Sequence, residues 1–358
     1  MKTVDYQKTA WLTLLLVLTF VVGWELFWRS QNLTLSYNED ESMWSSKRKL
    51  IYESNPARLV VIGSSRIKFD LDIATWERIT GEKPVQLAME GSSPRPMLID
   101  LGNDPDFKGT LLIDVTEGLF FTPTGSFPEK EAIKRVKAYP NWSLSQQISF
   151  QINHVAESNL LFLDDLNLTL NWFLNLLPIP ARPGAWGGPK FPREFAVVDV
   201  DRQTKMTDAF VADTALQNQV KGTWQEIGAH SPKKAIGGPP LLEILDETKH
   251  SIDQIRARGG RVLFIRTPSD GPYWEGEKQM FPRTLYWDRL LAHTQTPGIY
   301  FADYPGLSRY RCPEWSHLTP SDAIRFTEAL IPVVEQKMGS SLQQRPSASP
   351  AKIGQLSL

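Results

Sequence analysis

Arg58-Leu-Val-Val-Ile-Gly-Ser-Ser-Arg66 runs through four consecutive aliphatic residues, three of them β-branched, and then stops at a glycine followed by two serines. A strand that is apolar at every position has both faces covered, since a strand with one wet face alternates. The same signature returns in Gly109-Thr-Leu-Leu-Ile-Asp-Val115 and Arg261-Val-Leu-Phe-Ile-Arg-Thr267, and in shorter form in Pro84-Val-Gln-Leu-Ala-Met89 and Gly298-Ile-Tyr-Phe-Ala-Asp303. Helical segments stand between these runs. One covers Trp76 to Ile79 and closes at Gly81, another covers Met97 to Leu101, and a longer one starts at Pro239-Pro-Leu-Leu-Glu and stops at Gly259-Gly260. Strand and helix in alternation predict an α/β fold with a parallel central sheet.

Upstream, Ala10 to Trp24 is uncharged and mostly apolar, and Leu26, Phe27 and Trp28 extend it past Glu25. That makes about 19 residues, enough to cross a bilayer as a helix. Trp11, Trp24 and Trp28 lie near its ends, where indoles favour the interface. The bulky residues after Gly23 argue against a cleaved signal, so residues 1–29 are expected to be an uncleaved anchor. With Lys2 and Lys8 before the span and Arg29 after it, the short leader is expected to stay inside and the rest to lie outside the cytoplasm. The expected location is therefore the cell membrane, single-pass, with a periplasmic or equivalent domain.

Residues 30–55, acidic at Asn38-Glu-Asp-Glu41 and basic at Lys47-Arg-Lys49, read as a linker. A domain spanning 56–338 follows, and its alternation is interrupted at about 122–240 by Trp, Pro, Gly and Asn punctuation around an apolar helix expected over Leu160 to Leu177. That interval is too long for a crossover, so it reads as a helical insertion forming a cap or side lobe. The last helix has Thr319 as N-cap and Pro320 at its first position, with Pro332 expected to kink or shorten it. Residues 339–358 read as a disordered tail.

A formal charge of −1 leaves no basic field for nucleic acid. The single cysteine, Cys312, permits no intrachain disulfide and no multi-cysteine metal site; beside the His motif it is either a nucleophile or, as expected, a small packing residue. His154, His230, His250 and His293 lack metal-ligand spacing, so no metal is expected; no Walker-type loop is present, and no cofactor is implied.

Ligands of open α/β sheets bind beyond the carboxyl ends of the strands. That rule selects Gly63-Ser-Ser-Arg66, Glu90-Gly-Ser-Ser93, Asp114 to Glu117, Thr267 to Asp270 and the loop from Asp303 to His317. The last contains Pro313-Glu-Trp-Ser-His317, an acid three residues before a histidine at a helix start. Ser65 as nucleophile, His317 as base and Glu314 as orienting acid would make a hydrolytic triad. Ser64 is the nucleophile if the register is off by one, and Asp303 is the alternative acid. Gly91 serves either turn geometry or an oxyanion; Arg66 and Arg95 either bind an anionic or sugar substrate or pair with carboxylates; Asp270 and Tyr273 either line the substrate side or brace their loop.

On these segments the chain resembles the SGNH (GDSL-like) hydrolase superfamily over roughly residues 57–125 and 255–335. Ser65 matches its nucleophile, Gly91 its second-block glycine and His317 its base. The sequence has Ser64 where the first motif has Asp, Thr116 where the third block has Asn, and Glu314 where the last has Asp. The resemblance is closest to membrane-anchored envelope members, some of them O-acyltransferases or O-acetyl esterases of polysaccharides. It implies a flavodoxin-like three-layer sandwich, with Ser64, Thr116 and Arg66 beside Gly91 on the oxyanion and substrate side. The partners it implies are the membrane, an acylated carbohydrate or other small ester, and membrane acyl-transfer proteins. A non-catalytic carbohydrate-binding or assembly subunit of an envelope machine is the second expectation.

Overall fold

The computed structural model describes residues 6–31, 33–52, 59–164, 174, 177 and 188–339. Its centre is a five-stranded, wholly parallel sheet built from β1 (Leu59–Ile62), β2 (Val85–Gln86), β3 (Thr110–Asp114), β6 (Arg261–Arg266) and β7 (Gly298–Tyr300). A separate antiparallel hairpin pairs β4 (Ala196–Val198) with β5 (Thr204–Met206). The order across the main sheet is β2-β1-β3-β6-β7. The second apolar run is a strand only at Val85–Gln86, although Leu87 and Met89 N–H groups still donate to the Val61 and Gly63 carbonyls.

Side-chain alternation on these strands feeds two separate cores. Val60, Ile62, Leu111, Ile113, Val262 and Phe264 face one, beneath helices Arg95–Asn103 and Gly238–Ala257. Leu59, Val61, Leu112, Leu263, Ile265 and Ile299 face the other, with Ile67, Trp76 and the C-terminal helix Pro320–Met338. Helices therefore cover both faces, as the uninterrupted apolar strands require. At Gly63 the chain passes so close to β3 that an added Cβ would lie 2.6 Å from the Asp114 Cβ, so glycine is obligatory where β1 turns toward the serines.

Two expectations are corrected. Within the expected linker, residues 33–52 are packed on the domain: Glu41–Leu50 forms a helix, N-capped by Asp40, whose Trp44 is fully buried and donates to the Leu87 carbonyl at 3.1 Å. Truncation of such a residue costs about 3–5 kcal/mol, which is why so polar a segment is held. Its charges find distant partners, Arg48 with Asp100 and Asp104, and Lys47 with Asp201. Nor does Pro332 shorten the last helix, which runs through it to Met338 and ends at Gly339, whose left-handed φ of 63° closes it.

The expected helix Leu160 to Leu177 lies largely outside the described residues; Leu161–Leu163 forms a 3-10 turn. The tail beyond 339 also lies outside them. Of the interval 122–240, helices Phe127–Ala138, Leu144–Glu157 and Thr214–His230 and the hairpin are described. The hairpin leans on the sheet edge, where Arg202, at φ 63°, donates to the Gln86 and Ala88 carbonyls. That satisfies backbone acceptors which an exposed edge strand would leave open.

Helix Tyr6–Arg29 is long and apolar enough to cross a membrane, and nearly all of its apolar window is exposed. Its last turn is tied to the domain. The Glu25 carboxylate accepts the N–H groups of Leu161 and Phe162, Arg29 donates to the Asn159 carbonyl at 2.7 Å, and Trp28 packs on Leu161.

Candidate active site

Ser65 opens the short helix Ser65–Asp70 immediately beyond β1, and His317 stands just before the C-terminal helix. Folding brings the two together, with Ser65 Oγ 2.9 Å from His317 Nε2. On the far side of the ring, His317 Nδ1 lies 2.9 Å from Glu314 Oε1. A carboxylate only accepts, so Nδ1 carries the proton and Nε2 is left to accept from the serine hydroxyl.

The reach of Glu314 depends on the turn that carries it. Trp315 adopts a left-handed φ of 81°, uncommon for a bulky residue, and the Glu314 carboxylate folds back to accept the His317 backbone N–H at 2.6 Å as well. Its second oxygen accepts the indole N–H of Trp224, on helix Thr214–His230 of the insertion. Phe69 stacks on the imidazole at a centroid distance of 4.2 Å. Glu314 and His317 are buried, whereas Ser65 is half-buried and is the member of the three that a ligand can approach.

Ser64 faces inward. Its hydroxyl lies 2.6 Å from that of Thr116 and 3.3 Å from Asp114 Oδ2, while Thr116 donates to the same carboxylate oxygen at 3.2 Å. The nucleophile alternative at Ser64 is thereby corrected, and the Thr116 hydroxyl is occupied beneath the site and is not turned toward a ligand. Gly91 lies in the exposed turn after β2 at φ +61°, with open space where a Cβ would stand. Its neighbour Glu90 fixes that turn through Lys68 at 2.7 Å and Thr204 at 2.7 Å.

The expected substrate role of Arg66 is also corrected. Its guanidinium is buried, paired with Glu277, donates to Ser316 Oγ at 3.3 Å and stacks over Tyr273. Glu277 also pairs with Arg266, which reaches Glu117 at 3.1 Å. Burial pushes the Glu277 carboxyl up, but Arg66 and Arg266 outweigh it and hold the group below its ordinary value. This buried set of two cations and two carboxylates joins the residue after Ser65 to the residue before His317. Breaking one member of such a set is far costlier than its net worth, which makes it a strong positional constraint.

Arg95 is buried between Glu129 and Glu247. Asp303 chelates Arg283 at the surface, which corrects its alternative role as triad acid. Asp270 caps helix Gly271–Met280 and pairs with Arg311. Cys312 is buried, and burial, with the charges of Asp70 and Glu314, pushes its thiol well up, leaving it a poor nucleophile. Among the described residues no group of three or more His, Cys, Asp or Glu side chains is arranged to hold a metal.

The sequence assigned no role to Trp224, Phe69, Asp70 or Asp114: Trp224 donates to Glu314, Phe69 stacks on His317, Asp70 accepts the Leu318 N–H beside His317, and Asp114 holds Ser64 and Thr116. Only Asp114, in a loop selected by the strand-end rule, carried any signal. Asp70 is fully buried; its Oδ1 accepts the Leu318 N–H at 2.9 Å and its Oδ2 has no partner. Burial raises its pKa well above the ordinary 3.8, opposed by the Leu318 bond and reinforced by Asp114. Folding therefore takes up a proton here, and the stability at stake is present below the unfolded pKa and falls as pH rises toward the folded one. Asp70→Asn, which mimics the protonated acid, should keep stability within about 1 kcal/mol and flatten this pH slope. Asp70→Ala should cost about 1–3 kcal/mol by orphaning the Leu318 N–H. Urea melts from pH 4 to 8 check both, and an unchanged slope in Asp70→Asn would refute the assignment.

No family model matches this chain, and no curated protein does.

Proposed function

We propose that the chain is a membrane-anchored, extracytoplasmic serine esterase or O-acyltransferase of the SGNH type, acting on acyl esters of cell-envelope carbohydrate. The observation that carries the proposal is the continuous hydrogen-bonded relay from Ser65 Oγ through His317 to Glu314. The sheet order supports it: numbered within the sheet, the strands run second, first, third, fourth, fifth, the order of flavodoxin-like doubly wound folds. Ser65 follows the first strand and Thr116 the third, so the serine lies at the switch point where such folds bind ligands.

In the proposed reaction Ser65 Oγ attacks the ester carbonyl as its proton passes to His317 Nε2, and Glu314 stabilises the resulting imidazolium. Backbone N–H groups of Ser65 and Gly91 receive the oxyanion. The carbonyl–oxygen bond to the alcohol breaks, His317 returns the proton to the departing oxygen, and the acyl group stays on Ser65. Water or a sugar hydroxyl, deprotonated by His317, then attacks the acyl-serine carbonyl; the acyl–Oγ bond breaks and His317 returns the proton to Ser65 Oγ.

A second reading, a carbohydrate-binding subunit without turnover, is favoured by one observation: the Thr116 hydroxyl is committed to Asp114, leaving the third loop without the side-chain oxyanion donor of its superfamily counterpart. A fluorophosphonate probe separates the two. The full chain in detergent should be labelled on Ser65, Ser64→Ala should still be labelled, and Ser65→Ala should not. Absence of label from the unmodified chain would select the binding subunit.

A further inference from the structure

Helix Leu144–Glu157 is built the wrong way round for a protein in water. None of its 14 residues is buried, and the apolar ones divide between two faces. Phe150 and His154 turn inward, where they stack on each other and meet Trp142 and Tyr37. Leu144, Ile148, Ile152 and Val155, spaced by four, four and three residues, form one outward stripe that is 71%, 53%, 65% and 65% exposed. Single exposed apolar residues are ordinary, but a contiguous stripe along a helix marks a contact surface.

The position of this helix identifies what covers it. Two residues beyond its end, Asn159 accepts from Arg29, and Leu161 and Phe162 are held by Glu25 and Trp28 at the close of the apolar helix Tyr6–Arg29. The chain is thus pinned to the end of the prospective span directly after the stripe. A helix of this length reaches about 21 Å from that pin, so its C-terminal end stands close to where the apolar helix Tyr6–Arg29 would leave a bilayer.

We infer that Leu144–Glu157 is an interfacial helix that lays Leu144, Ile148, Ile152 and Val155 into the headgroup–acyl boundary of the bilayer the N-terminal helix crosses. The inference rests on the anchored reading above but not on the chemistry at Ser65. The helix contains no Lys or Arg, so its attachment is apolar and independent of anionic lipid.

The test uses the full chain in phosphatidylcholine vesicles, with a fluorescent label on single cysteines and nitroxide acyl-chain lipid as quencher. The native Cys312 is buried, and the unsubstituted chain labelled in parallel corrects for it. Ile148→Cys, Ile152→Cys and Val155→Cys should be quenched at least about twofold more than Gln146→Cys and Asn153→Cys, with no gain on adding phosphatidylglycerol. Val17→Cys reports the span itself. Quenching at 17 without the helical pattern at 148, 152 and 155 overturns the inference, as does a label shielded from water yet unquenched, the sign of a protein partner on the stripe. No quenching at 17 removes the anchor and the inference with it, and fluorophosphonate labelling of Ser65 reports separately whether the catalytic reading stands.

Discussion

His317→Ala should lower turnover of a chromogenic acetyl ester by roughly 10³-fold or more, because general-base assistance and the activation of the serine disappear together. The hydroxyl of Ser65 has one ring nitrogen as its partner, at 2.9 Å. No neighbour stands ready to replace it, since Ser64 and Thr116 are turned onto Asp114. Ser65→Ala should fall to the same floor, and the double variant should fall no further, since two residues acting as a unit are not additive. Measured kcat/KM values that multiply across the double variant would show that the two residues act independently and would sink the relay.

Glu314→Gln is expected to produce a loss of comparable size, up to roughly 10⁴-fold in kcat, while leaving KM little changed. An amide at this position can present its NH₂ to Nδ1, stabilising the tautomer that carries its proton on Nε2, and that tautomer cannot accept from Ser65. The substitution is near isosteric, but the carboxylate also accepts the His317 backbone N–H and the Trp224 indole, so part of the cost is structural. Trp224→Phe separates the contributions. It removes one donor to Glu314 while keeping an aromatic ring near His317, whose present centroid distance is 5.8 Å, and a smaller loss of roughly tenfold is expected. Equal kcat in Glu314→Gln and the unmodified chain would show that the acid has no part in orienting the imidazole.

The central sheet was legible because each of its longer strands states its environment locally: a residue run such as Leu59 to Ile62 has no wet face to hide. The helix Glu41–Leu50 was not. It carries few apolar residues, and the groups that fix it, Leu87, Asp100, Asp104 and Asp201, come from elsewhere in the chain. An acidic start and a basic finish looked like solvated patches, whereas they also match the dipole of a helix. At the site, Ser65, Glu314 and His317 could be picked out because strand-end loops and a short acid-to-histidine spacing are local patterns. The braces could not. Trp224 sits 90 residues before the carboxylate it binds, and the choice for Arg66 between a ligand and a carboxylate stayed open because nothing in its own segment announces Glu277.

If the chain is both anchored and catalytic, as proposed, the grip of Glu25, Trp28 and Arg29 on residues 159–162, together with the seating of Trp44 in the core, has a consequence for reach. A catalyst on a floppy tether samples a shell of heights and can service acceptors at many depths of a wall. One bolted directly to its own mast works at a single altitude, so acceptors must be delivered to it, and lengthening the mast by a few turns should starve the reaction without touching the chemistry.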